Sequence, residues 1–335
     1  MILLALSLLL CFGAFGRTQV AAPAFAAETE RRSLVPVGKA VGIKLFSDGV
    51  MVVGLAESTA GGPSPAAQAG LAEGDRILAI NGEEIQSTEH VQELLREFEG
   101  ERLTLSVFRE DEDLELTLCP EQGEYGCRMG AWIRDSMAGI GTMTYYDPLS
   151  GAFGALGHSI NDVDTGLLMP LADGAVMRAE VTAVRRGAIS EPGELKGEFD
   201  LSEDLGELYD NNECGVFGTL PAGDFVQGQA LPIARSYEIR EGKAQILADI
   251  SGSEAKAYEV EITKIYPFSG NTRNMLVTVT DAELLAATGG IVQGMSGSPV
   301  IQNGRIVGAV THVLINDPTR GYGIFIENML EAADQ

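Results

Sequence analysis

The segment of this chain best suited to covalent chemistry is Gly294-Met295-Ser296-Gly297-Ser298-Pro299. Glycines on either side of a serine let the backbone turn tightly and let a substrate carbonyl come close. In such a turn the hydroxyl of Ser296 can attack a carbonyl carbon while the amides of Gly294 and Ser296 converge as an oxyanion hole. A serine needs a base beside its hydroxyl at neutral pH, and imidazole is the usual one. The chain has three histidines, His90, His158 and His312. His158 lies in the small, apolar run Gly154-Ala155-Leu156-Gly157-His158-Ser159-Ile160 upstream of the serine and is the preferred base. His312, two predicted strands past the serine, comes second. His90 falls on the solvated face of a predicted helix.

The residues leave the orienting acid open. Asp281 precedes Ser296 closely, but Thr280-x-x-Glu283 reads as a capping box that would put Asp281 in the first turn of a short helix. Asp162, Asp164, Asp200 and Asp204 are rivals. A metal has no support: there is no His-Glu-x-x-His pairing and no clustered Cys/His spacing, and no cofactor motif is present. Cys119 and Cys127 flank a predicted linker and are close enough in sequence for a short clip, which geometry decides.

These residues need a β-rich scaffold to hold them. Val300-Ile301, the Asn303-Gly304 turn and Ile306 to Val310 predict a hairpin after the serine. Short apolar runs such as Ala179–Val184, Ala244–Ala248 and Leu276–Val279 recur from about residue 128 onward, with glycine turns between them. Histidine before serine is the order of chymotrypsin-type enzymes, whereas α/β-hydrolases run serine, acid, histidine. The fold class expected is mainly β: a small α+β domain, then a chymotrypsin-like double β-barrel. Chymotrypsin-type enzymes keep their acid beside the histidine, so Asp281, near the serine, fits that template poorly.

Several long motifs carry a resemblance. Gly154–Ile160, Thr288–Pro299, Thr311-His312-Val313 with Asn316–Thr319 and Gly321-Tyr322-Gly323, and Met129–Ser136 through Tyr146-Asp147-Pro148 resemble the stage IV sporulation protein B peptidases of endospore-forming Firmicutes. That resemblance implies a triad of His158 as base, Asp281 as orienting acid and Ser296 as nucleophile. It further implies self-cleavage and cleavage of a membrane-bound sporulation regulator, which releases an intramembrane protease that activates a late sigma factor.

The first half resembles a PDZ domain over Ala69-Gly70-Leu71-Ala72-Glu73-Gly74-Asp75-Arg76 through Ile80-Asn81-Gly82. A predicted helix follows with Val91, Leu94, Leu95 and Phe98 on one stripe. Such domains add a peptide as an extra strand. The expected peptide-binding positions are Gly42, Ile43 and Leu45, although Lys44 stands where the usual pattern has glycine. Self-association through this domain, or capture of the regulator, is the partnership implied. The expected boundaries are 1–27 for a leader or anchor, 38–118 for the PDZ-like domain, 119–128 for a linker and 129–335 for the peptidase domain.

Met1 to Phe15 is almost wholly apolar and Ala24-Phe25-Ala26 reads as a signal-peptidase site, so export across the cytoplasmic membrane is expected, with a cleaved leader preferred to an anchor. The resemblance places the exported protein between the forespore and mother-cell membranes. The net charge of −25 argues against nucleic acid and anionic membrane surfaces as partners. The acidic run Glu110–Asp113 predicts a hairpin turn, and the stretch 198–213 a solvated loop. Two other readings compete: a general stress-type protease, which usually carries its PDZ domain last, and a non-catalytic peptide-binding scaffold that treats Ser296 as a turn residue.

Overall fold

In the computed structural model, residues 31–124, 126–221, 223–268 and 272–334 are described; the leader expected over 1–27 lies outside them. Strand β1 (Ser33–Pro36) leads through a left-handed turn at Gly38 into the long strand β2 (Ala40–Leu55). Helix α1 (Pro65–Ala69), capped by Ser64, then precedes β3 (Arg76–Ile80) and β4 (Glu83–Glu84). The turn between these two strands is Asn81-Gly82, both left-handed, as an Asn-Gly hairpin requires. Helix α2 (Thr88–Glu97) buries Val91, Leu94 and Leu95, the stripe its spacing predicts. Strands β5 (Leu103–Arg109) and β6 (Glu112–Leu118) join through Glu110 and Asp111, which carry φ of 47° and 66°, so this acidic run is a hairpin turn. Buried Asp75 is held by two bonds from Arg109, at 2.6 and 2.7 Å, and by the Ala72 amide. A buried carboxylate needs such partners.

The expected linker at 119–128 is folded instead as a hairpin of β7 (Glu121–Gly123) and β8 (Gly126–Arg128). Glu121 anchors it, accepting bonds from Arg128, the Ser58 hydroxyl and the Thr59 amide. Cys119 and Cys127 are free thiols, not a clip.

The chain then returns as β9 (Ala131–Tyr146), which pairs antiparallel with β2 over Ala131–Thr142, with an irregularity between Ser136 and Arg134, and with β1 at Tyr145 and Tyr146. Both strands therefore serve two bodies. Their Val50–Leu55 and Ala131–Arg134 halves extend the sheet of β3, β5 and β6. Their other halves enter a ring completed by β10 (Ala152–Ala155), β11 (Asp173–Arg185), β12 (Glu194–Asn212) and β13 (Gly215–Thr219). The ring runs β9-β10-β13-β12-β11-β2 and closes through the β2–β9 pairing. The acidic stretch 198–213, expected as a loop, lies mostly in β12: Glu203, Asp204 and Glu207 face solvent while Gly206, Leu208 and Asn211 turn inward. Alternation lets one strand satisfy both demands.

A second barrel follows. After β14 (Leu231–Pro232), which pairs with β1, come β15 (Gly242–Ala248), β16 (Lys256–Ile265) and β17 (Met275–Val279). Helix α3 (Ala282–Thr288) precedes β18 (Pro299–Gln302), β19 (Arg305–Leu314), β20 (Asp317–Phe325) and helix α4 (Ile326–Ala333). These strands close in the order β15-β16-β17-β20-β19-β18 around a core that includes Ile246, Val260, Met275, Val300 and Val310. The protein is thus mainly β: a PDZ-like α+β body followed by two barrels.

Because β2 and β9 run through both the PDZ-like sheet and the first barrel, neither body can open without breaking ladder bonds of the other. Trp132, the chain's single tryptophan, sits on the PDZ-like half of β9. Thermal unfolding followed by Trp132 emission and by far-UV circular dichroism is expected to give coincident transitions. A separate, earlier tryptophan transition would show that the shared strands do not couple the two bodies.

Candidate active site

Ser296 lies on the loop between α3 and β18, at the seam where that loop meets β9. Thr142 of β9 binds the loop twice: its hydroxyl donates to the Gly294 carbonyl at 2.7 Å and its amide to the Ser296 carbonyl at 3.0 Å. Gly297 has φ of 97°, and a Cβ there would stand 2.0 Å from the Thr142 carbonyl oxygen, so the approach needs glycine. The Gln293 and Met295 carbonyls accept from the amides of Leu195 and Ser298 at 2.8 and 3.0 Å. Those carbonyls share peptide planes with the amides of Gly294 and Ser296, and in a trans peptide the N–H points opposite to the C=O. Neither amide donates to another group among the described residues. The two expected oxyanion donors are therefore available, each pointing away from the bond its own peptide carbonyl makes.

His158 comes from the first barrel. After β10 the chain turns through Leu156 and Gly157, with φ of 67° and 71°. A Cβ on Gly157 would meet the Thr311 and Ile324 side chains at 2.9 and 3.0 Å. The loop beyond His158 is pinned by buried Asn211, which accepts from the Ile160 amide and donates to the carbonyls of Ile160 and Met169. His158 Nδ1 lies 2.7 Å from the carbonyl oxygen of Ser159. A carbonyl can only accept, so Nδ1 carries the proton and Nε2 is left as the base.

Ser296, His158 and His312 line one cleft of about 490 Å³ with Ile43, Ile140, Leu156, Ile291 and Val313. In this state the Ser296 hydroxyl donates to the Thr311 carbonyl at 2.7 Å. The rings of His158 and His312 stand 4.9 Å apart, tilted by 39°. Burial holds the His158 pKa below its usual range. His312 is pushed down to about 4 by burial and by the neighbouring charges of His158 and Arg273. The Nδ1 of His312 is buried with no partner among the described residues. Its place in the cleft was only a second choice from sequence, where the spacing past Ser296 does not say which face of β19 it takes.

Asp281 is elsewhere. It is the N-cap of α3: its carboxylate accepts from the Leu284 amide at 3.0 Å and from the Glu259 amide on β16 at 3.2 Å. The Leu284 bond chiefly holds its pKa below the ordinary carboxylate range. The cap thus sits one residue later than the Thr280 box predicts. The rivals are also engaged: Asp162 and Asp164 pair with Arg134, Asp200 bonds Ser202 and Asp204 pairs with Lys44. Among the described residues no carboxylate bonds either imidazole of the cleft, and the Ser159 carbonyl occupies the position an acid would take.

The expected peptide-binding strand is also displaced. Gly42, Ile43 and Leu45 lie in the half of β2 that pairs with β9 on one side and β11 on the other. A strand bonded on both edges cannot accept a third. Leu45 is fully buried and Ile43 faces the catalytic cleft. The position beside β2 in the PDZ-like sheet is filled by β9 itself.

The family model described as SpoIVB peptidase S55 matches residues 125–330. This chain belongs to that family. It is therefore a serine peptidase, and a PDZ-domain model matches residues 57–109. It is 30% identical over 168 residues, 48% of its own length, to the protein named Zinc metalloprotease RasP of Bacillus licheniformis, and spans 34% of that relative. Among solved structures it is similar to the active form of the Rv3671c protease of M. tuberculosis, at 16% identity and a TM-score of 0.34, over 58% of this chain and 72% of that one. It is also similar to the HtrA-type protease AlgW with decapeptide, at 13% identity and a TM-score of 0.34, over 60% and 53% of the two chains.

The cap and the triad roles for Asp281 predict different outcomes. Asparagine also caps helices, so Asp281→Asn is expected to hold kcat/KM within about threefold, and Asp281→Ala to lower stability by about 1 kcal/mol. A fall in kcat of about 10⁴ for Asp281→Asn at unchanged stability, as for a misoriented base, would return Asp281 to the triad. Peptidase assays beside thermal melts decide this.

Proposed function

We propose that this serine peptidase is an exported endopeptidase of sporulation signalling, in which Ser296 is the nucleophile and His158 its base. The observation that carries the reading is the cleft itself: a serine hydroxyl, a neutral imidazole and two undonated amides, brought together from two barrels. Ser296 Oγ turns from the Thr311 carbonyl and gives its proton to His158 Nε2 as it attacks a peptide carbonyl carbon. The oxyanion takes bonds from the amides of Gly294 and Ser296. Collapse of the tetrahedral intermediate breaks the C–N bond, and the imidazolium returns the proton to the leaving amine. Water then repeats the sequence on the acyl-enzyme, restoring Ser296. The Ser159 carbonyl holds the imidazole in its tautomer and accepts from Nδ1–H throughout.

Family membership supports the wider role. The substrates proposed are the chain itself and a membrane-bound regulator whose cleavage releases an intramembrane protease and activates a late sigma factor. The site proposed is the space between forespore and mother-cell membranes, reached by the N-terminal leader. No helix among the described residues is long and apolar enough to cross a membrane.

The test follows purified protein, wild type beside Ser296→Ala, by intact mass over hours at neutral pH with an added protein substrate. Fragments are expected in the wild type alone; equal fragmentation in both would remove Ser296 from the reaction. The pH dependence has a definite sign. Both imidazoles have pKa values depressed below the ordinary 6.5, so the unfolded chain binds protons that the native one refuses. Their stabilisation is complete above that value and is lost as pH falls towards about 4, the value reached by His312. The acidic limb of kcat/KM is accordingly expected below 6.5, and a limb at 7 or above would contradict a buried neutral base.

A further inference from the structure

Along most of its length strand β9 has one edge with which no strand of the described chain pairs. Its other edge is bonded to β2 from Ala131 to Thr142, with one irregularity at Asp135, and then to β1 at Tyr145 and Tyr146. On the open side β10 reaches only Met143, Tyr145 and Tyr146, and Thr142 meets the Ser296 loop and the Leu156 amide. From Gly141 back to Ala131 no strand pairs with this edge among the described residues. Unpaired edges of this length invite a further strand.

The main-chain groups point the right way at both ends. Thr142 turns its N–H and C=O to the open side, donating to Ser296 and accepting from Leu156. By strand alternation Ile140 and Ala138 turn theirs the same way, and both residues line the catalytic cleft. In the PDZ-like half, Val52 bonds the Asp75 carbonyl and the Gly74 amide, each at 2.8 Å, on the β3 side. Its cross-strand partner Ile133 therefore directs its own N–H and C=O away from β2, onto the open edge. Helix α2 is tethered beside this stretch by the Thr88 amide, which donates to Asp135 at 2.8 Å. Trp132, two-thirds exposed at 67%, packs against Gly54 on the neighbouring strand.

The proton path decides which side of a substrate lies here. His158 must return its proton to the leaving amine, so the C-terminal side of the substrate lies towards His158 and the barrel that carries it, to which the cleft half of β9 also belongs. On the β9 rim that side leaves Ser296 towards Ala131 and so runs antiparallel to β9.

We propose that the open edge of β9 is a docking track with one bulge, near Arg134–Ser136 where the alternation changes phase, on which the segment of substrate C-terminal to the cut adds as an extended strand from Ile140 in the cleft to Ala131 beside α2. This rests on Ser296 being the nucleophile. At roughly 3.3 Å per residue the track spans about 30 Å and holds about ten substrate residues. The PDZ-like body thus reads the same strand of substrate that the barrels cut, and sets how much chain must follow the scissile bond.

The experiment takes the best-cleaved member of a proteome-derived peptide library and resynthesises it with tails of two to twelve residues after the cut. With wild-type protein, kcat/KM is expected to rise about 10- to 100-fold between tails of about four and about ten residues and then level off, the gain from a few added ladder bonds. A profile flat beyond about four residues overturns the proposal. Binding is read separately on Ser296→Ala by Trp132 emission: the long peptide is expected to shift it and the short one to leave it. N-methylation of the tail amides that face β9 is expected to weaken binding about tenfold or more, and no effect of N-methylation overturns the proposal. Ile133→Pro, which removes one outward N–H, is expected to bring the long peptide down to the rate of the short one; should that variant not fold, the N-methyl series carries the test. If library peptides shift Trp132 in a length-dependent way yet wild type cuts none, the nucleophile assignment fails and the track stands. Cutting with neither length dependence nor a Trp132 shift sinks the track alone.

Discussion

The pairing of β2 with β9 constrains everything else in this protein. Each strand is long enough to belong to two bodies, and the ladder between them closes the first barrel while forming one side of the PDZ-like sheet. Closure fixes where Thr142 stands, and Thr142 in turn holds the carbonyls of Gly294 and Ser296. The orientation of the Ser296 loop is therefore set from the opposite barrel. Gly297 is the residue that makes the contact sterically open, since a side chain there would collide with the Thr142 carbonyl.

The electrostatics of the cleft differ from those of a serine–histidine–carboxylate triad. A chain with 48 acidic residues and a net charge of −25 hydrogen-bonds none of them to the His158 imidazole among the described residues, although Glu213 lines a pocket beside it. A main-chain carbonyl orients the ring instead. This arrangement fixes the tautomer as a carboxylate would, but offers the imidazolium a dipole rather than a full charge. Burial then keeps both cleft imidazoles neutral at physiological pH, with His158 beside His312 adding to the cost of protonating His312. Asp281, released from that duty, starts the helix that carries the chain up to the serine loop, so it supports the site through α3 rather than through the proton.

Local pattern made much of this legible. The Asn81-Gly82 turn, the Val91–Leu94–Leu95 stripe of α2, the acidic hairpin at Glu110–Asp111 and the strands around Asn303-Gly304 all depend on nearest neighbours and periodicity, and each formed where its residues indicate. Ser296 between glycines and His158 after Gly157 were also readable, because left-handed turns and close backbone approaches leave glycine as their trace. What pattern could not reach was pairing at long range. The PDZ resemblance puts Gly42, Ile43 and Leu45 on a strand with a free edge, yet two distant segments, β9 and β11, cover both edges. The stretch 198–213 has the charge of a solvated loop, yet a barrel needed its alternate residues inside.

By itself, then, the sequence determined the chemistry available, the turns, the helix stripe and the β-rich character, because these follow from side-chain type and local backbone preference. Only the tertiary structure decided that His312 joins the cleft, that the Ser159 carbonyl takes the acid's position, that Asp281 caps a helix, and that β9 keeps the open edge. Each of those depends on which strand lies against which, and hydrogen-bond ladders are chosen among segments far apart in the chain by the packing of all of them at once.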